Sequence, residues 1–138
     1  MGSMAAQVTA AFFDSKGIRY DLTEDGHAII TGFQMDNREG LKLLIFFDPG
    51  DESVAIRAFN VAKIPANKTD SMFAVVNYLN TKYRWIKFVI NEEDNTITAE
   101  DDAVIQLDSC GEEVLECCKH LVEIVDEAYP EIMASIFG

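Results

Sequence analysis

Cys110, Cys117, Cys118 and His120 are the one metal-like cluster in this sequence. Cys117 and His120 are three residues apart, so on a helix they share a face. Zinc needs four converging ligands, commonly in CxxC or HxxxH pairs. The only other histidine, His27, falls in a distant hairpin, and Cys118 points into an apolar stripe. Buried cysteines act as small hydrophobes, so packing is expected and no metal. A thiolate nucleophile would need an electropositive site. Glu113, Glu116 and Glu123 surround these cysteines instead, and like charge raises a thiol pKa. Nothing near His120 in sequence would orient it.

The acidic runs Glu92-Glu93-Asp94-Asn95 and Glu100-Asp101-Asp102 lack the central glycine and terminal glutamate of a calcium loop, and are expected as solvated hairpin turns. Asn77 and Asn80 sit in a helical stretch, where asparagine is a mediocre helix former. They are either binding contacts or amides that dock the helix onto strand backbone. The second is expected, because buried amides are satisfied within the fold. Tyr83 and Trp85 mark a helix-to-strand corner, as core anchors or as interface hot spots. The eight glycines are scattered singly, and no phosphate loop, GxSxG or HExxH occurs. No catalytic residue, no cofactor and no metal are expected.

A chain of 138 residues suggests one domain, placed at residues 4–138, with Met1-Gly2-Ser3 set aside as a cloning remnant. The net charge of −13 argues against nucleic acid and anionic lipid as partners. Three cysteines make no disulfide framework. Without a signal peptide pattern or a membrane-length apolar run, a cytoplasmic protein with reduced thiols is expected.

The elements that would position these residues follow from periodicity. A helix over about 5–16 presents Val8, Ala11 and Phe12, with Phe13 alongside and Gly17 as its stop. Strands are expected over 18–23, 27–35, 41–48 and 53–62, with turns at Glu24-Asp25-Gly26 and Pro49-Gly50-Asp51. Pro65 opens a helix over 66–83 with a stripe of Met72, Val75, Val76, Leu79 and Tyr83. Strands over 85–90 and 96–105 follow. The last helix, 111–135, carries Val114, Cys118, Leu121, Val125, Ala128 and Ile132, with Ser109 as N-cap and Pro130 expected to kink it or split off a turn. The order α-β-β-β-β-α-β-β-α predicts an α+β fold on a largely antiparallel sheet.

Two strands break the alternation of a half-buried sheet. Residues 41–47 place Leu41, Leu43, Ile45 and Phe47 on one face and Lys42, Leu44 and Phe46 on the other. Residues 53–62 place Val54, Ile56 and Ala58 opposite Ala55, Arg57, Phe59 and Val61. Either helices cover both faces, or one face stays partly apolar and marks an interface.

The segments Ile64-Pro65, Val76-Asn77-Tyr78-Leu79-Asn80, Tyr83-Arg84-Trp85-Ile86-Lys87-Phe88 and Ile124-Val125-Asp126-Glu127-Ala128-Tyr129-Pro130-Glu131-Ile132-Met133 resemble those of the YbjN-domain family. The resemblance implies a fold like that of type III secretion chaperones, which are small, acidic, usually dimeric proteins that hold a client in extended form. It also carries the label of a bacterial sensory transduction regulator. The expectation is a non-enzymatic protein-binding module, chaperone-like or regulatory, with an unknown protein client and a homodimeric state. An extended client could add to an exposed strand edge. The alternative is a small-molecule-sensing regulator with a pocket near Trp85 and Asn77. Candidate interface or pocket residues are Leu44, Phe46, Phe59, Asn77, Asn80 and Trp85.

Overall fold

The computed structural model describes residues 2–138. The helix α1 spans Met4–Ser15, followed by β1 (Tyr20–Leu22), β2 (Ala28–Phe33), β3 (Leu41–Phe47) and β4 (Ser53–Lys63). After a single 3-10 turn at Ala66–Lys68 come α2 (Thr69–Lys82), β5 (Lys87–Asn91), β6 (Thr96–Val104) and α3 (Cys110–Phe137). The strands form one antiparallel sheet in the order β1-β2-β3-β4-β6-β5. The expected element order and α+β class hold.

Turn chemistry sets the registers. Gly26 at φ +72 lets the β1–β2 chain reverse, and Asp51 at φ +58 does the same between β3 and β4. Asp48 accepts the backbone N–H groups of Gly50 and Glu52 at 2.9 Å each. In β4 the register slips between Ala58 and Ala62, with Asn60 at φ +56. Arg38 donates to the bulge carbonyls of Asn60 and Val61 at 3.1 and 3.2 Å.

All three helices lie on the face that carries Leu43, Ile45, Ile56, Ala58, Ala99 and Phe88, all fully or nearly fully buried. The helix α3 contributes Val114, Cys118, Leu121, Val125, Ala128 and Ile132 to this core, the stripe expected from sequence. In α1 the stripe differs. Ala5, Ala6, Thr9, Ala10 and Phe13 are buried, while Ala11 is exposed and Val8 and Phe12 are half-buried. Small residues let α1 cross α3 closely: a Cβ on Gly111 would sit 2.5 Å from Phe12 Cβ. Close approach, rather than bulk hydrophobicity, selects this face. Ser3 belongs to the packed structure, since its Oγ accepts from Ala6 N–H at 3.1 Å and donates to Asp51 at 2.6 Å.

Pro130 neither splits nor ends α3, which continues to Phe137. Proline removes the donor that would reach the carbonyl four residues earlier. That carbonyl, of Asp126, accepts instead from the Asn37 side-chain amide at 3.0 Å. The Asp126 carboxylate accepts the N–H groups of Asp36 and Asn37 at 3.1 and 2.8 Å. The β2–β3 loop is thereby strapped to the helix where the proline opens it.

Candidate functional site

With the helices on one side, the other side of the sheet is open to solvent. Strand register orders it into rows. One row runs Asp21, Ile30, Leu44, Arg57, Glu100 and Lys87 across β1, β2, β3, β4, β6 and β5. The next runs Ala28, Phe46, Ala55 and Asp102. Ser53 and Val104 pair beyond it. Ile30, Leu44 and Ala55 are half-buried by their neighbours, Phe46 is 40% exposed and Val104 80%. Phe59, two residues beyond Arg57 on the same strand face, is 50% exposed. The one-face-apolar account of β3 and β4 is therefore the correct one.

The charges on this face pair among themselves. Arg57 donates to Asp102 at 2.8 Å and lies 3.7 Å from Glu100. These two acids belong to a run whose acidity suggests a turn while strand periodicity places it within 96–105, and the strand reading holds. Glu100-Asp101-Asp102 lies inside β6, and alternation sends Asp101 to the other face. There it is buried beneath α3, and burial, followed by the neighbouring Asp102 charge, pushes its carboxyl above the ordinary value. The run reads as a turn because β-propensity disfavours three consecutive acids; pairing with Arg57 overrides it.

Three clefts among the described residues bear on this face and its edge. One of about 500 Å³ lies on the open face at the Phe46–Val104 end, lined also by Ala55, Arg57, Asp102 and Asp48. Clefts of about 830 and 420 Å³ flank the β1 edge and share Arg19, Gly32 and Lys42. β1 pairs with β2 only as far as Thr31, so Gly32 and Phe33 have no β1 partner there. None of the three clefts is lined by Asn77 or Trp85.

Asn80 docks α2 onto β5 as expected. Its Oδ1 accepts the Phe88 N–H at 2.7 Å and its Nδ2 donates to the Phe88 carbonyl at 2.9 Å. Phe88 directs those groups away from β6, so the amide blunts the β5 edge. Asn77 is exposed, and its carbonyl accepts the Thr81 hydroxyl at 3.0 Å. Trp85 is not a core anchor: it is 76% exposed and sits at φ +75. Tyr83 is half-buried against the core. Leu44, Phe46 and Phe59 thus share one surface, with Asn77, Asn80 and Trp85 at the α2–β5 side. Sequence passed over Ile30 and Val104; the unbroken apolar run Ala28-Ile29-Ile30 was the available signal for the first.

The cysteines of the cluster are free, Cys110 and Cys118 buried and Cys117 half-buried. Burial, then the Asp101 charge, pushes the Cys117 thiol up to about 11. Cys118 is fully buried in the core and its thiol is pushed up further, again by burial first. Cys110 packs between α1 and α3, with its Sγ 3.5 Å from both Thr9 Oγ1 and the Ala5 carbonyl. His120 is exposed. Among the described residues no group of three or more His, Cys, Asp or Glu side chains is arranged to hold a metal, and no helix is long and apolar enough to cross a membrane.

Compared with curated proteins, the sequence has no significant match. Solved structures share its fold. E. coli YbjN superposes with a TM-score of 0.65 at 12% identity, over 91% of this chain and 92% of that one. The ExsC–ExsE complex gives 0.60 at 12%, over 93% and 94%. The HopA1–SchA chaperone–effector complex gives 0.51 at 11%, over 86% and 90%. The expected likeness to secretion chaperones therefore holds at the level of fold. The family described as "Putative bacterial sensory transduction regulator" matches residues 6–134, and the chain is accordingly a member of the YbjN family.

Proposed function

We propose that this chain is a non-enzymatic protein-binding module, chaperone-like or regulatory, which holds an extended segment of a protein client on its open sheet face and works as a cytoplasmic homodimer. The carrying observation is the uncovered apolar surface of Ile30, Leu44, Phe46 and Val104 on a sheet whose helices all lie on the other side. Contiguous apolar surface of this kind is characteristic of interaction sites. Client side chains would fill the cleft between Phe46 and Val104, while backbone would pair along the free part of β2 at Gly32 and Phe33. The opposite edge is less receptive, because Asn80 already occupies Phe88. Burial and the Asp101 charge disfavour a Cys117 thiolate.

The test is binding of a panel of unstructured peptides by the purified protein and by Leu44→Asp and Phe46→Asp variants of matched circular dichroism. Wild type should retain a subset that both variants lose by at least about tenfold, the size of a hot-spot effect. Equal retention by all three proteins would refute it. Light scattering over a concentration series checks the dimer, whose mass should persist on dilution.

A further inference from the structure

The cleft on the open face is a trough laid along β4. Its walls are Phe46 on β3 and Val104 on β6. Between them β4 offers two small side chains to this face: Ala55, opposite Phe46 and Asp102, and Ser53, opposite Val104. Strands that flank a common neighbour lie about 10 Å apart, so the walls leave room for one inserted side chain. Arg57 closes the trough toward the middle of the sheet, where Asp102 at 2.8 Å and Glu100 at 3.7 Å hold it.

The rim of this trough is acidic. Asp48 and Asp102 line it, and Arg57 is the one Lys or Arg lining it among the described residues. The Asp102 side chain is two-thirds exposed, so its carboxylate keeps acceptor sites free toward solvent. The trough opens at the β3–β4 turn, which carries Asp51 and Glu52, and the chain leaving β6 is tied to that turn by the Ile105 N–H donating to the Glu52 carbonyl at 2.9 Å. The β1–β2 turn lies at the same end, since Ala28 pairs with Phe46, and adds Glu24, Asp25 and one weak base, His27. Backbone N–H groups, those of Ser53 and Ala5 foremost, hold the Asp48 and Asp51 carboxyls below the ordinary value. The segments 43–56 and 88–118, which build both walls and the floor, contain no Lys or Arg, and the whole chain carries a net charge of −13.

We propose that the trough takes a basic, amphipathic protein segment: an apolar side chain seated between Phe46 and Val104 over Ala55, with a lysine or arginine beside it meeting Asp48 and Asp102. This names the client chemistry for the binding face proposed above and rests on that reading. Apolar walls with an acidic rim select on both counts, because the core of an interface supplies affinity while complementary charge supplies specificity and encounter rate. An acidic segment would meet the same walls against repulsion from the rim and from the molecule as a whole.

The experiment measures fluorescence anisotropy of short labelled peptides with the full chain. A serine-rich peptide bearing leucines flanked by lysines is compared with versions carrying glutamine or glutamate for lysine, and with one carrying serine for leucine. The lysine–leucine peptide should bind at least about tenfold more tightly than each of the others, and salt should weaken it. Val104→Arg, at an exposed position on the trough wall, should lower its affinity at least about tenfold with unchanged circular dichroism. Phe137→Arg, an equal charge change at the exposed end of α3, should leave it nearly unaltered. Equal binding of the glutamine and glutamate peptides would overturn the basic preference while leaving the open-face reading intact. Equal binding of the lysine–serine peptide, or an equal loss in Phe137→Arg, would reveal general attraction to a negative protein and overturn the trough as the site. Failure of every leucine peptide to bind would count against the open-face reading and this proposal together. A dimer that Val104→Arg dissociates in light scattering would place a second copy in the trough and overturn the proposal.

Discussion

Asp126, Pro130 and Asn37 act as one device. The proline frees a helix carbonyl, and a loop amide 89 residues away in sequence takes it. Asn37→Ala should cost about 1 kcal/mol, the net worth of a hydrogen bond. In a Pro130→Ala background the helix N–H returns, so the same Asn37 substitution should cost measurably less. Denaturant unfolding of the four proteins in a double-mutant cycle checks this coupling. Asp101 makes a second, opposite case, a carboxylate that the fold strains. Its folded pKa is raised above the ordinary 3.8, first by burial. The native state therefore binds that proton more tightly than the unfolded chain, and the contribution of Asp101 to stability falls as pH rises from 3.8 through the raised value. Asp101→Asn should raise the melting temperature at pH 7, with the gain shrinking as pH falls below that window. Asp48 and Asp51 carry the opposite sign, since backbone N–H groups hold both below the ordinary value. Their stabilising contribution is lost as pH falls through their lowered values.

At the scale of elements, periodicity located every helix and strand, because amphipathic patterning reports which face meets a core. On α1 it found Val8, Phe12 and Phe13, which pack on the core, but it also chose exposed Ala11 and missed Ala5, Ala6 and Ala10, which hydrophobic patterning ranks low. Gly111 is the complementary position on α3. Gly111→Ala should destabilise the fold by about 1–3 kcal/mol, as overpacking does, because Phe12 offers no space for the added methyl. Thermal unfolding measures this, and an unchanged melting temperature would contradict the close crossing. The exposed setting of Trp85 was equally hidden, since aromatic residues at an element boundary are more often buried and no pattern in sequence reports a positive φ. Asn80 was legible because its chemistry leaves few alternatives: an amide on a helix beside a strand finds backbone.

The whole molecule is two layers, with all helices on one side and an apolar sheet face on the other. The candidate site was half legible. Leu44, Phe46 and Phe59 were visible as apolar residues on the wrong side of alternating strands, but only topology shows that no helix covers them. Ile30 and Val104 join them through strand register, which a single sequence does not reveal. The most direct test of the central claim, that the open face receives a protein segment, is site-specific photo-crosslinking. Phe46 would be replaced by benzoylphenylalanine, with the same replacement at exposed Glu116 on α3 as a control, and products would be mapped by mass spectrometry. Crosslinks from position 46 to an extended segment of another protein, absent from position 116, are the predicted result. Crosslinks that are absent from 46, confined to this chain's own sequence, or equally frequent from 116 would contradict it.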